Sequence, residues 1–119
     1  MVVGICRVAF SLPGNDSLKG KRSIVRRIID RTRSKFNVAI AEVAALDSHR
    51  NAVLGFAVVS NDTRHVNSML DRIVAFMIGA TEAVCVGRSL EIIHTEGQSA
   101  PLPAWDAGFG DSEEDDDGQ

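Results

Sequence analysis

Residues 52–60, AVLGFAVVS, constrain the fold more than any other stretch of this chain. Written as a strand, the segment is apolar on both alternations and carries no charge. Such a strand must be central in a sheet or covered on both sides. The neighbouring segments supply the sheet. Asp47-Ser48-His49-Arg50-Asn51 is a polar connection of hairpin length. It links the apolar segment back to residues 38–46, an Ala-rich β-type run with Glu42 in its middle. Residues 2–12 alternate, with Cys6, Val8, Phe10 and Leu12 on one face and Ile5, Arg7, Ala9 and Ser11 on the other. Residues 83–94 form a last strand.

Two helices separate these strands. Residues 17–37 place Leu18, Val25, Ile28, Ile29, Thr32 and Phe36 in one stripe of a 3.6-residue wheel. Ser17 is positioned to cap the start, and Pro13-Gly14-Asn15-Asp16 breaks the preceding strand. Residues 63–78 put Val66, Met69, Leu70, Ile73 and Met77 on one face behind an Asn61-Asp62-Thr63 cap. The order βαββαβ predicts a ferredoxin-like α+β sandwich: a four-stranded antiparallel sheet with two helices on one face. The first and third strands should be central. Ile5 and Ala9 then point to a face that no helix covers, a candidate homodimer surface or a small open sheet face.

The first helix is also the most basic stretch. Lys19, Arg22, Arg26 and Arg33 lie on one flank, and Arg27, Arg31 and Lys35 on the other. Lys21 falls nearer the apolar border and should snorkel. Only Asp30 offsets them. These eight bases are the candidate nucleic-acid contacts, because Arg forks match phosphate geometry. A plain solvated helix face and docking on an acidic protein surface fit the same pattern.

The chain's net charge of −3 conceals an asymmetry. Residues 1–94 hold 13 basic and 8 acidic side chains, a net of +5. Residues 95–119 hold 8 acidic and no basic side chains. The domain should span residues 1–94, and residues 95–119 read as a linker and an acidic tail, expected to be disordered. Trp105 and Phe109 lie within that tail, as incidental aromatics or as a docking element. The tail could act as a polyanion mimic for the basic helix or serve solubility. No apolar run reaches the roughly 18 residues of a membrane span. Residues 1–5 lack the basic start and cleavage site of a signal peptide. A cytoplasmic setting is expected, with no membrane partner.

Catalytic signals are weak. Glu42, Asp47, His49, Asp62 and His65 sit near turns or strand ends without triad or paired-carboxylate spacing. Glu42 is unusual in an Ala/Val strand; it either lies on the open face or pairs with an arginine such as Arg7. Cys6 and Cys85 read as small core residues on adjacent strands rather than a metal or redox pair. No catalytic residue, metal site or small-molecule cofactor is implied. The loop at residues 13–17 lacks the spacing of a phosphate-binding loop and the arginine that an acylphosphatase-like site would need. Gly55-Phe56-Ala57-Val58-Val59 faintly echoes an RNA-recognition strand, but stacking needs aromatics on neighbouring strands, and Phe10 lies on the wrong alternation.

Three blocks carry a family resemblance: Leu12-Pro13-Gly14-Asn15-Asp16-Ser17-Leu18-Lys19-Gly20-Lys21-Arg22, then Phe36-Asn37-Val38 with Ala41-Glu42-Val43, then Val58-Val59-Ser60-Asn61-Asp62. In this order they resemble the signature of the YlxP-like family, small bacterial proteins of unassigned function. The resemblance covers roughly residues 1–94 and implies a ferredoxin-like fold. Family members are encoded in many bacteria beside transcription and translation factors, which implies association with RNA or the ribosome. It brings no catalytic residues. Two features depart from expectation: Gly20 stands where a better helix former belongs, and the acidic extension is outside the family pattern. The expected function is a non-enzymatic accessory factor on RNA or the ribosome, with a sheet-mediated homodimer as the alternative.

Overall fold

In the computed structural model, which describes residues 1–95, the apolar segment is the third strand of a four-stranded antiparallel sheet. The elements run β1 (Val2–Ser11), α1 (Leu18–Lys35), β2 (Ala39–Ala44), β3 (Asn51–Ser60), α2 (Thr63–Ile78) and β4 (Val84–His94). The sheet order is β2-β3-β1-β4, so β1 and β3 are central and β2 and β4 are edges. Both helices pack on one face. This is the ferredoxin-like fold expected from the order of elements. Of the linker and acidic tail expected at residues 95–119, all but residue 95 lie outside the described residues.

Pairing fixes which side chains go inside. Cys6 faces Phe56 and Val8 faces Leu54 across β1 and β3, all four on the helix side of the sheet. Phe10, Val58 and Ile40 extend that layer, and α1 adds Val25 and Ile28. From α2 come Val66, Leu70, Ile73, Val74 and Met77. Full burial of one such side chain is worth roughly 1.5–3 kcal/mol, so this layer drives folding. Gly4 makes the close approach of α2 feasible: a Cβ there would stand 2.5 Å from Val66 Cγ1.

Local chemistry sets the ends of the elements. Leu12-Pro13-Gly14-Asn15 closes a turn in which Asn15 N–H donates to the Leu12 carbonyl at 3.2 Å. Gly14 takes φ 80° there, as the third residue of a type II turn requires. Ser17 Oγ accepts from Gly20 N–H at 3.0 Å, and Asp62 Oδ1 accepts from Arg64 N–H at 3.1 Å, capping α1 and α2. Gly20 is also explained. Asn15 folds over it, so that a Cβ would lie 2.3 Å from Asn15 Oδ1. The Asn15 amide meanwhile donates to the carbonyls of Ser17 and His49, tying the loop to the β2–β3 turn.

The second face of the sheet is bare among the described residues. Val3, Ile5, Arg7 and Ala9 of β1 share it with Val53, Gly55, Ala57 and Val59 of β3. Val59 is 63% exposed. A bulge in β2 near Val43 turns that side chain over Gly55, whose missing Cβ would stand 3.0 Å from Val43 Cγ1. No helix among the described residues is long and apolar enough to cross a membrane.

Candidate nucleic-acid interface

Helix α1 sits over the sheet with one flank toward α2 and the other toward edge strand β2. Its eight bases divide accordingly. The α2 flank is occupied. Arg27 Nη2 lies 3.5 Å from Glu82 Oε2, an exposed pair. Arg31 donates to the Ala80 carbonyl. Lys35 Nζ rides 5.5 Å from the centre of the Phe76 ring, and Phe76 meets Phe36 edge-to-face. Glu82's own backbone N–H holds its carboxyl below the usual value, opposed by desolvation and aided by Arg27 and Arg31.

The β2 flank is open. Lys19, Arg22 and Arg26 are exposed there, and among the described residues no hydrogen bond, ion pair or ring contact engages their side chains. Arg33 stands at the end of the row, where Nη2 donates to the Ile40 carbonyl of β2 at 3.3 Å. A groove of about 400 Å³ runs between α1 and β2, bordered by Arg22, Arg26, Arg33 and Asp30.

Lys21 departs from expectation and leaves the candidate set. It is 1% exposed and cannot reach an external phosphate. Its stripe position, three residues after Leu18 and four before Val25, turns it inward rather than toward the border. The ammonium lies 2.9 Å from Glu42 Oε2. It also donates to the carbonyls of Ala45 at 2.7 Å, Asn51 at 3.1 Å and Leu46 at 3.4 Å. The contact with Glu42 Oε2 is an ion pair, and that buried oxygen accepts no hydrogen bond among the described residues. Glu42 therefore faces the helices, not the open sheet face, and its partner is Lys21 rather than Arg7. Ala45 adopts φ 59°, the left-handed region.

The other polar candidates are dispersed. Asp62 caps α2, Glu42 holds Lys21, and Asp47, His49 and His65 are separate and exposed. No group of three or more His, Cys, Asp or Glu side chains suited to a metal ion occurs among the described residues. Cys6 and Cys85 are free thiols on β1 and β4. Burial pushes the Cys6 thiol up, with Arg88 partly opposing. Most polar residues of the resemblance blocks thus have structural tasks: Asn15, Ser17, Gly20, Lys21, Glu42 and Asp62 hold turns, caps and the helix-to-hairpin junction. The open basic flank draws instead on Lys19 and Arg22 within the first block and on Arg26 and Arg33 beyond it.

The model of a family described as "Protein of unknown function (DUF503)" matches residues 3–89. The "Uncharacterized protein YlxP" of Bacillus subtilis (strain 168) is 38% identical over 61 residues, spanning 51% of this chain. That match covers 66% of the relative, just under two thirds of its length. Among solved structures, the de novo designed protein LFR1 1 with ferredoxin fold aligns over 87% of this chain and 94% of its own, at 16% identity and a TM-score of 0.45. The de novo designed protein Foldit4 aligns over 80% and 98%, at 11% identity and a TM-score of 0.44.

Proposed function

We propose that this chain, which belongs to the YlxP-like family of proteins of unknown function (DUF503), is a non-enzymatic accessory factor that associates with RNA or the ribosome through the open flank of α1. One observation carries the reading: Lys19, Arg22 and Arg26 project side by side with no acidic partner among the described residues. Like charges gathered on one flank repel each other, and a polyanion relieves that repulsion. From Lys19 to Arg33 the row covers about 21 Å of helix axis at 1.5 Å per residue, room for several phosphates. Contacts of this kind position a protein on a backbone without reading sequence; specificity then comes from RNA shape or from partner proteins.

The test is co-sedimentation with ribosomes and binding to single-stranded RNA across a salt series. Four phosphate contacts give a log–log salt slope of about −3 for single strands. The variant Lys19→Glu, Arg22→Glu, Arg26→Glu should lose association and flatten the slope while keeping its unfolding midpoint. Arg33 is left intact because it also bonds to β2. Unchanged association of this variant would sink the reading. A second reading, a protein-interaction module that pairs two copies through the open sheet face, is favoured by Val59, Val43 and Ile93, all exposed there.

A further inference from the structure

The bare face of the sheet is not flat. A groove of about 710 Å³ crosses it, with a floor of Gly55, Ala57 and Ala41 and walls that include Ile5, Arg7 and Val43. That volume lies within the range of about 300–1,000 Å³ typical of ligand pockets. The floor is low because its residues carry a methyl group or nothing, and the walls stand because Val43 and Ile5 are branched. At the β2 edge this apolar groove meets the basic one: Arg33, Ile40 and Ala41 border both. The surface therefore runs from apolar to cationic in one direction, over the edge of β2 and onto the open flank of α1.

The part of this chain beyond the described residues has the matching order. Leu102, Trp105 and Phe109 come first, and the acidic run at residues 111–117 follows. Residues 95–119 hold no base, so nothing in the segment opposes an approach to Arg22, Arg26 and Arg33. Reach is sufficient. The segment leaves from Thr95, beside Met1 at the end of β4. From β4 to β2 is three strand spacings, roughly 14 Å, and Ile5 lies opposite Glu91, three residues before His94. Ten extended residues span about 33 Å, so Trp105 can reach the groove floor with slack. A tether of this length also gives the segment a millimolar-scale effective concentration.

We infer that the segment at residues 102–117 docks on its own domain, Trp105 in the apolar groove over Gly55 and Ala57, and the acidic run along Arg33, Arg26 and Arg22. The docking stands on shape, reach and charge. Its consequence, that the acidic run occupies the flank where RNA would bind and so moderates that binding, rests on the function proposed above.

Trp105 is the chain's single tryptophan, so its fluorescence in the full chain reports the docking directly. In low salt the emission should be blue-shifted and protected from acrylamide, with no dependence on protein concentration. Ala57→Phe, which fills the groove from the exposed side, should expose Trp105. Leu102→Ser with Phe109→Ser, which leaves the domain untouched, should do the same. Emission and quenching equal to those of the urea-unfolded chain would overturn the inference. Protection that grows with protein concentration would overturn it too, by making a second copy the occupant. For the regulatory consequence, Asn in place of the six acidic residues between 111 and 117 should raise affinity for poly(U) by about tenfold, the factor expected when a face is free one-tenth of the time. Equal affinity would overturn the regulatory part. Should the chain not bind poly(U) in any form, the RNA reading fails while the tryptophan measurement still decides the docking.

Discussion

Lys21 and Glu42 form the most consequential polar contact described in the domain. Lys21 lies on the buried stripe of α1 and the half-buried Glu42 on β2, and the ammonium meets one carboxylate and three carbonyls. Removing one partner of a buried pair strands the other, at a cost of about 3–5 kcal/mol. Glu42→Ala should fall near the lower end, because the carbonyls still hold the ammonium. Lys21→Met with Glu42→Leu should recover more than half of the loss in urea unfolding; no recovery would mean that the pair itself stabilises. Ala45 sets the carbonyl that Lys21 uses by adopting a left-handed conformation. A Cβ in that region costs about 1–2 kcal/mol, and glycine's larger unfolded-state entropy offsets part of the relief. Ala45→Gly should therefore raise stability by about 0.5–1 kcal/mol, read as a higher melting temperature. The sequence showed that Glu42 was out of place among alanines and valines. It did not reveal the partner, because Lys21 is distant along the chain and a lysine at the apolar border ordinarily snorkels to water. The signal for burial is its stripe position, three residues after Leu18 and four before Val25.

At the scale of elements, periodicity was informative wherever one face of a helix or strand is buried. The stripe of α1 and the face of α2 follow from spacing, and the central rank of β1 and β3 follows from the order of the elements and the charge-free residues 52–60. Periodicity cannot show which polar flank of a helix meets a neighbour. Lys19 and Arg27 lie on the two polar flanks of the wheel and neither flank is marked by spacing as the one that meets a neighbour, yet Arg27 faces Glu82 in the loop before β4 and Lys19 faces solvent. That difference depends on where α2 lies, and Gly4 helps to decide it. The absent side chain lets Val66 and Leu70 settle against β1. Gly4→Ala asks a packed helix to withdraw, and overpacking of this kind costs about 1–3 kcal/mol. The expected result is a lower urea midpoint without a change in far-UV circular dichroism. A neutral outcome would show that α2 can slide.

For the whole molecule the decisive fact is an asymmetric sheet, one face filled by two helices and the other bare among the described residues. Apolar patches left uncovered on a monomer tend to find a partner, and a stable pairing of two copies needs roughly 800 Å² from each. If the chain's own C-terminal segment fills the groove, that area is not available. The full chain should then run as a monomer of 12.8 kDa in sedimentation. Leu102→Ser with Phe109→Ser should bring the bare face into contact with water and shift the mass toward twice that value as concentration rises. The charge asymmetry strengthens the contrast. High salt weakens the hold of the acidic run on Arg22, Arg26 and Arg33 but strengthens apolar association, so self-association of the full chain should increase with salt. A full chain that is already dimeric at low concentration and unmoved by salt would favour the sheet-paired reading over the intramolecular one. The two readings compete for the same surface, so a single mass measurement across a salt series separates them.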